Sequence, residues 1–190
     1  MAKKSKKPAT MLIPLPATLV TCGEYNNNPN IITIAWCGIV CAEPPMLSIA
    51  VRENRFSFNL IKQIGEFVVN MTGGNMVEQT DFCGNHSGKD YDKFKETGLT
   101  PEPAEKVRSP LIKESPINLE CRVKETLNLG SHHIFIAEII AAHVDEAVLD
   151  SDGRLDVKKV DPLIYCTNAR QYWSGLSKVH GLYGFTRGKK

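Results

Sequence analysis

No apolar run in this 190-residue sequence approaches the ~20 residues that a membrane-crossing helix requires. The stretch Met11 to Val20 is interrupted by Pro14 and Pro16, so it does not read as the core of a signal peptide either. Both absences point to a cytoplasmic protein. Net charge is nearly absent as well. A formal value of +2 gives no argument for a nucleic-acid partner. Lys3, Lys4, Lys6 and Lys7 crowd the start of the chain, so the remainder is close to neutral or slightly acidic. The common phosphate signatures are missing: there is no GxxxxGK[ST], and no GxGxxG follows a strand. A P-loop or dinucleotide-type Rossmann site is therefore excluded. There is no internal repeat, and no Ser/His/Asp arrangement can be picked out from spacing.

The six cysteines do not form a recognisable framework. Most lie in apolar, strand-like contexts, where cysteine behaves as a small hydrophobe, and without export signals they read as free thiols. Cys37 and Cys41 on one extended strand would be ~13 Å apart at ~3.3 Å per residue, beyond disulfide reach. Cys83-x-x-His86 has half the spacing of a zinc site and no second half, so no metal is expected.

What the sequence does have is a dense stretch from Asn30 to Ile64. The β-type run Ile31-Ile32-Thr33-Ile34-Ala35-Trp36 opens it, Pro44-Pro45 breaks it, and a second apolar run follows from Met46 to Val51. Phe56, Leu60 and Ile64 then recur at a spacing of four, with Ile61 beside them, as on an amphipathic helix. Arg52, Asn54, Arg55 and Ser57 sit where strand hands over to helix. A helix start leaves N–H groups without partners, and its dipole favours an anion.

Along the chain, residues 1–10 read as a disordered basic terminus. Residues 11–166 form the main domain, and 167–190 read as a C-terminal extension packing on it or on a partner subunit. Strands are expected at Pro16–Glu24, Asn30–Cys41, Met46–Val51, Glu66–Met71, Ile117–Lys124, Ile134–Val144 and Leu163–Tyr165. Helices are expected at about Arg55–Ile64, with Gly65 as C-cap, at Met76–Phe82 and at Tyr91–Thr97. Residues 98–116 carry four prolines and read as a surface connection. Strict alternation at Ile117–Lys124 gives one buried and one polar face. Strands arriving mostly without helical crossovers argue for a mainly β fold with a few short α-helices, a closed or nearly closed antiparallel barrel.

A second polar corner, Ser87-Gly88-Lys89, places a hydroxyl, a glycine backbone and an ammonium together. A capping serine and solvated charges account for either corner equally well. Taken with the strand-borne Trp36, the two corners also suit a ligand that carries both a phosphate and an aromatic ring. His132 and His133 at the start of a strand face opposite sides, and either serves as a structural residue or as a proton donor near neutral pH. Glu138, inside an apolar strand, needs a partner or a barrel face open to a ligand.

Several of these residues recur as short motifs. They are Asn30-x-x-Thr33-x-Ala35-Trp36, Glu43-Pro44-Pro45, Phe67-Val68-Val69-Asn70, Ser87-Gly88-Lys89-Asp90-x-Asp92-Lys93-Phe94, Thr97-Gly98-Leu99 and Gly130-x-His132-x-x-Phe135. Their order and spacing over residues 10–165 resemble the flavin reductase-like family of FMN-binding split barrels. With Leu119-Glu120-Cys121-Arg122, the chain is most similar to the flavoredoxin branch. It departs at Ser131, where many members carry Asp, and at Ala137, where Gly is usual. The resemblance implies a six-stranded antiparallel split barrel, a homodimer, and tightly but non-covalently bound FMN. It implies that Thr33, Ile34, Ala35 and Trp36 line the flavin ring and that Asn30 belongs to the cofactor-binding set. Val51, Arg52, Asn54, Arg55 and Ser57 would hold its ribityl chain and phosphate, and Ser87, Gly88 and Lys89 would complete that cradle. His132 would lie near the flavin or the nicotinamide entrance. The implied activity is an NAD(P)H:flavin or iron(III) oxidoreductase that takes hydride from NADH or NADPH and passes electrons to a small-molecule acceptor. The alternatives are a flavoredoxin-type carrier between redox partner proteins and a flavin-storage barrel.

Overall fold

The structure, a computed structural model, describes residues 1–186; positions 187–190 of the expected C-terminal extension lie outside the described residues. Residues 1–14 are exposed and carry no regular secondary structure. The strands are β1 (Leu15–Pro16), β2 (Thr18–Glu24), β3 (Asn27–Ile34), β4 (Cys37–Cys41), β5 (Met46–Val51), β6 (Glu66–Met71), β7 (Pro101–Glu102), β8 (Leu111–Ile112), β9 (Ile117–Asn128), β10 (His133–Val144), β11 (Ile164–Cys166) and β12 (Gln171–Trp173). The helices are α1 (Phe56–Ile64), α2 (Val77–Asn85), α3 (Lys93–Thr97) and α4 (Val157–Val160).

One antiparallel sheet organises the rest, in the order β3-β2-β6-β9-β10-β5-β4. β3 and β4, adjacent in sequence, lie at its opposite margins, and only Ala35 and Trp36 separate them. Ile34 and Cys37 can be no more than ~11 Å apart along the chain, so the sheet must curl until its margins meet. The result is a split barrel closed by covalent chain at a seam. The apolar run expected as one strand over Asn30–Cys41 is this broken pair. Counting β3 and β4 as one gives the six strands expected.

Alternation explains the core. Val20, Ile32, Ile34, Leu47, Ile49, Phe67, Val69, Cys121 and Phe135 fill the lumen, where Phe58 and Ile61 of α1 join them. The helix therefore presents Ser57, Phe58 and Ile61 as its buried face, while Phe56, Leu60 and Ile64 are only half-buried along its flanks. Spacing recognises an apolar stripe, but the barrel mouth selects which neighbouring stripe enters it. Gly65 ends α1 at φ 72°, and its N–H bonds the Ile61 carbonyl at 2.8 Å. On the outer face of the sheet, Leu19 and Ile31 pack with Met76, Cys83 and Phe94 from the helical segments and with Ile112. With both faces covered, β2 is buried at nearly every position.

Residues 98–116 are not merely a surface connection. Ser109, Leu111 and Ile112 are buried, and Val107 and Leu111 pack on Val68. The outer faces of β6 and β9 need cover, and this segment supplies it. Glu120, which the alternation places on a solvent-facing side, is consequently fully buried. Its carboxylate accepts the backbone N–H groups of Glu105, Lys106 and Val107 at 2.6–3.0 Å and contacts His143 Nε2 at 2.6 Å. Burial alone would push the Glu120 carboxyl up, but these donors together hold it below the usual carboxylate value. Glu138 finds its partner in Lys124, at 2.6 Å. α2 continues through residues 83–85, past the end expected at Phe82. No helix among the described residues is long and apolar enough to cross a membrane.

Candidate functional site

The residues that cross the seam also wall a slot. Thr33 to Trp36 form one side, and Val51, Arg52, Arg55 and His132 complete it. The backbone is fixed there: the Trp36 carbonyl accepts the Ala50 N–H at 2.9 Å, and the Thr33 hydroxyl donates to the Thr80 carbonyl. With that hydroxyl engaged, Thr33 offers the slot its backbone. The Trp36 and His132 rings pack 4.5 Å apart at 38°, and Trp36 keeps 38 % of its surface exposed. Such a slot sets the Trp36 ring and the apolar Ile34, Ala35 and Val51 beside peptide groups and two guanidinium groups, suiting a planar heterocycle with polar edges.

Arg55 is shared with a second, polar cleft lined by Asn54, Ser57, Ser87, Gly88 and Lys93. Arg55 is the N-cap of α1 and makes no side-chain cap bond, so the first N–H groups of this nine-residue helix open onto the cleft without a capping side chain. Beneath it, Asn30 Nδ2 donates to Ser57 Oγ at 2.7 Å. Gly88 is required at this point: a Cβ there would lie 2.0 Å from Asn30 Oδ1. Lys93 is 4 % exposed, and its Nζ donates to the carbonyls of Ile31 and Cys83 at 2.7 Å each. An ammonium has three protons, so one donor remains for the cleft.

The electrostatics are one-sided. Among the described residues, Arg52, Arg55 and Lys93 make no ion pair within the protein. Burial lowers the Lys93 pKa, nearby Cys83 and Cys22 oppose that shift, and Arg55 adds to it. Burial first, then Arg52 and Arg55, lower the His132 pKa. Ser131 Oγ meets His132 Nδ1 at 2.9 Å, a neutral contact where a carboxylate would favour the imidazolium. A helix start, Arg55 and Lys93 on one cleft, with Arg52 on the adjoining slot, make a receptor for a polyanion such as a phosphate monoester.

Of the residues singled out from sequence, Thr33, Ile34, Ala35, Trp36, Val51, Arg52, Arg55 and His132 share the slot. Asn54, Ser57, Ser87 and Gly88 share the adjoining cleft, with Asn30 bonded underneath. Lys89 is exposed and lies outside both linings, its N–H bonded to Ser87 Oγ at 3.2 Å. The ammonium that does reach the cleft belongs to Lys93. It stood within the motif Asp92-Lys93-Phe94, but a lysine in a helical turn reads as solvated unless its burial is known. Glu53 lies 3.7 Å from His133, which packs on Phe58 on the other side of the strand from His132.

The family model described as "Flavin reductase like domain" matches residues 10–174. Among solved structures, the flavoredoxin of Desulfovibrio vulgaris (Miyazaki F) superposes with a TM-score of 0.91 at 32% identity, covering 98% of this chain and 100% of that one. The flavoredoxin of Methanosarcina acetivorans gives a TM-score of 0.89 at 32% identity over the full length of both chains. An uncharacterised protein of Archaeoglobus fulgidus is 34% identical over 146 residues, 77% of this chain and 80% of that protein.

Proposed function

Since the chain belongs to the flavin reductase-like domain family, we propose that it binds FMN and acts as an NAD(P)H-dependent oxidoreductase delivering electrons to free flavin, iron(III) or another small acceptor. The observation that carries this reading is the junction of a slot walled by Trp36, small apolar side chains and peptide groups with a cleft holding a buried ammonium that has no counter-anion among the described residues. The donor set fits the cofactor. Lys93, Arg55, Ser57, Ser87 and the α1 N–H groups would take the phosphate, and the Thr33–Trp36 backbone would take the ring edge. When bound, FMN supplies hydride acceptance at N5 and onward electron transfer. The protein's own residues orient and shield. Trp36 and His132 close one side of the slot, and Arg52 brings a positive charge to its wall. His132, its pKa lowered, is a neutral imidazole at pH 7 and can donate or accept one hydrogen bond toward a bound donor without adding charge.

The test is the visible spectrum of protein incubated with riboflavin 5′-phosphate and dialysed, followed by anaerobic addition of NADH or NADPH. Retained yellow colour and bleaching by either nucleotide are expected. Colourless protein overturns the FMN reading. Yellow protein that neither nucleotide bleaches overturns the reductase reading alone. It then favours a flavoredoxin-type carrier between protein partners, a reading supported by the similarity to two flavoredoxins over nearly the whole chain. The same reading makes the protein a homodimer, supported by exposed Ile39 and Val40 on the marginal strand β4.

A further inference from the structure

Thr33, Ala35 and Gly84 line not only the slot but also a third cleft, of about 370 Å³, that opens from it past the same backbone. Its other walls come from elements that the FMN reading leaves without a role: Asp81 and Asn85 on α2, and Tyr165, Arg170 and Tyr172 around the β11–β12 hairpin. Tyr165 and Tyr172 are cross-strand partners with ring centres 5.3 Å apart. Tyr172 Oη donates to Asp81 Oδ1 at 3.2 Å, and burial and Asp81 raise the phenol to about 12, so it stays a donor at neutral pH. Asp81 Oδ2 makes no hydrogen bond among the described residues, nor does the exposed guanidinium of Arg170. The cleft thus presents a cation for phosphate, a carboxylate oxygen for sugar hydroxyls and a tyrosine pair for a planar base.

Resting on the NAD(P)H reading above, we propose that this cleft binds the ADP-ribose half of the pyridine dinucleotide donor. A nicotinamide in the slot must lead its tail out by one of the adjoining spaces. The Lys93 cleft is taken by the flavin phosphate. The other neighbouring groove, reached past Trp36 and Ala50, is walled by Met11, Leu12, Leu15 and Ile134 and would strip a diphosphate of water without compensation. The Arg170 cleft is the polar route.

ADP-ribose lacks nicotinamide and reports this cleft without reference to flavin reduction. Titrated calorimetrically into FMN-loaded protein, it should bind the wild type. Arg170→Ala should bind at least about tenfold more weakly. Asp81→Asn, which keeps an acceptor for Tyr172, should weaken binding several-fold. FMN retention and melting temperature should match the wild type in both variants, because both side chains are exposed. No binding of ADP-ribose to wild type, or equal binding to Arg170→Ala, overturns the inference even if NADH or NADPH bleaches the flavin. Loss of FMN in parallel with ADP-ribose also overturns it, assigning the cleft to the flavin. ADP-ribose binding that depends on Arg170, in a protein that neither nucleotide reduces, leaves the cleft standing and removes the reductase reading.

Discussion

Lys93→Met keeps most of the buried stem and removes the ammonium. With that donor gone, FMN affinity should fall by roughly 10–100-fold, as loss of a charge-assisted bond worth ~1.5–3 kcal/mol requires. Fluorescence titration of apoprotein with FMN reads this directly, and an unchanged affinity would return Lys93 to a purely structural role. Arg55→Ala acts on the same corner from the exposed side, and flavin should be lost on dialysis. A full complement retained would disprove the phosphate assignment. His132 can be shifted through its neighbour. Ser131→Asp places a carboxylate beside Nδ1 and should raise the His132 pKa, opposing burial and the two arginines. An NMR titration of the ring checks the direction. At this scale the sequence was informative about chemistry and poor about depth. Arg55, Ser57 and Gly88 stood out because turn and helix-start chemistry is local. Lys93 and Lys89 could not be told apart, because their burial depends on strands sixty positions earlier in the chain.

The β9 strand shows the same boundary between local and non-local information. Its inward residues, Leu119 and Cys121, were legible from alternation alone. The burial of Glu120 was not, since the segment covering the outer face is recruited by tertiary packing. Glu120 acts as an anionic cap for that segment, so Glu120→Gln should cost about 2–3 kcal/mol in denaturant unfolding. It should also speed amide exchange at residues 105–107. Because the fold lowers the Glu120 pKa, its contribution is complete above the unfolded carboxylate value of about 4.3. It is lost as pH falls through the folded value. Exchange protection of residues 105–107 should therefore drop in acid before the barrel itself opens, and a protection that is flat with pH would refute the cap. The break at Ala35–Trp36 was hidden for a related reason. The apolar run from Asn30 to Cys41 looks like one strand, and nothing in it says that its two ends pair at opposite margins of a sheet.

For the whole molecule, connectivity argued for a closed or nearly closed barrel and the two polar corners suited a phosphate-bearing ligand; the resemblance added the strand number and FMN as the ligand. Assembly belongs at this scale too. β4 lies at a sheet margin with Ile39 and Val40 exposed at 69% and 53%, an apolar edge that a second copy would cover. Light scattering should give the mass of a dimer for the wild type and of a monomer for Ile39→Lys/Val40→Lys, and a monomeric wild type would remove that expectation. The seam has one more implication. Where neighbouring strands elsewhere are laced by ladder bonds, here a two-residue bridge keeps the lips of the can together, and the proposed ring would lie across that bridge. A tenant in the slot would serve as a rivet through both lips. Vacating it should let the can gape along this line first, so melting temperature should climb with added FMN by the amount mass action demands.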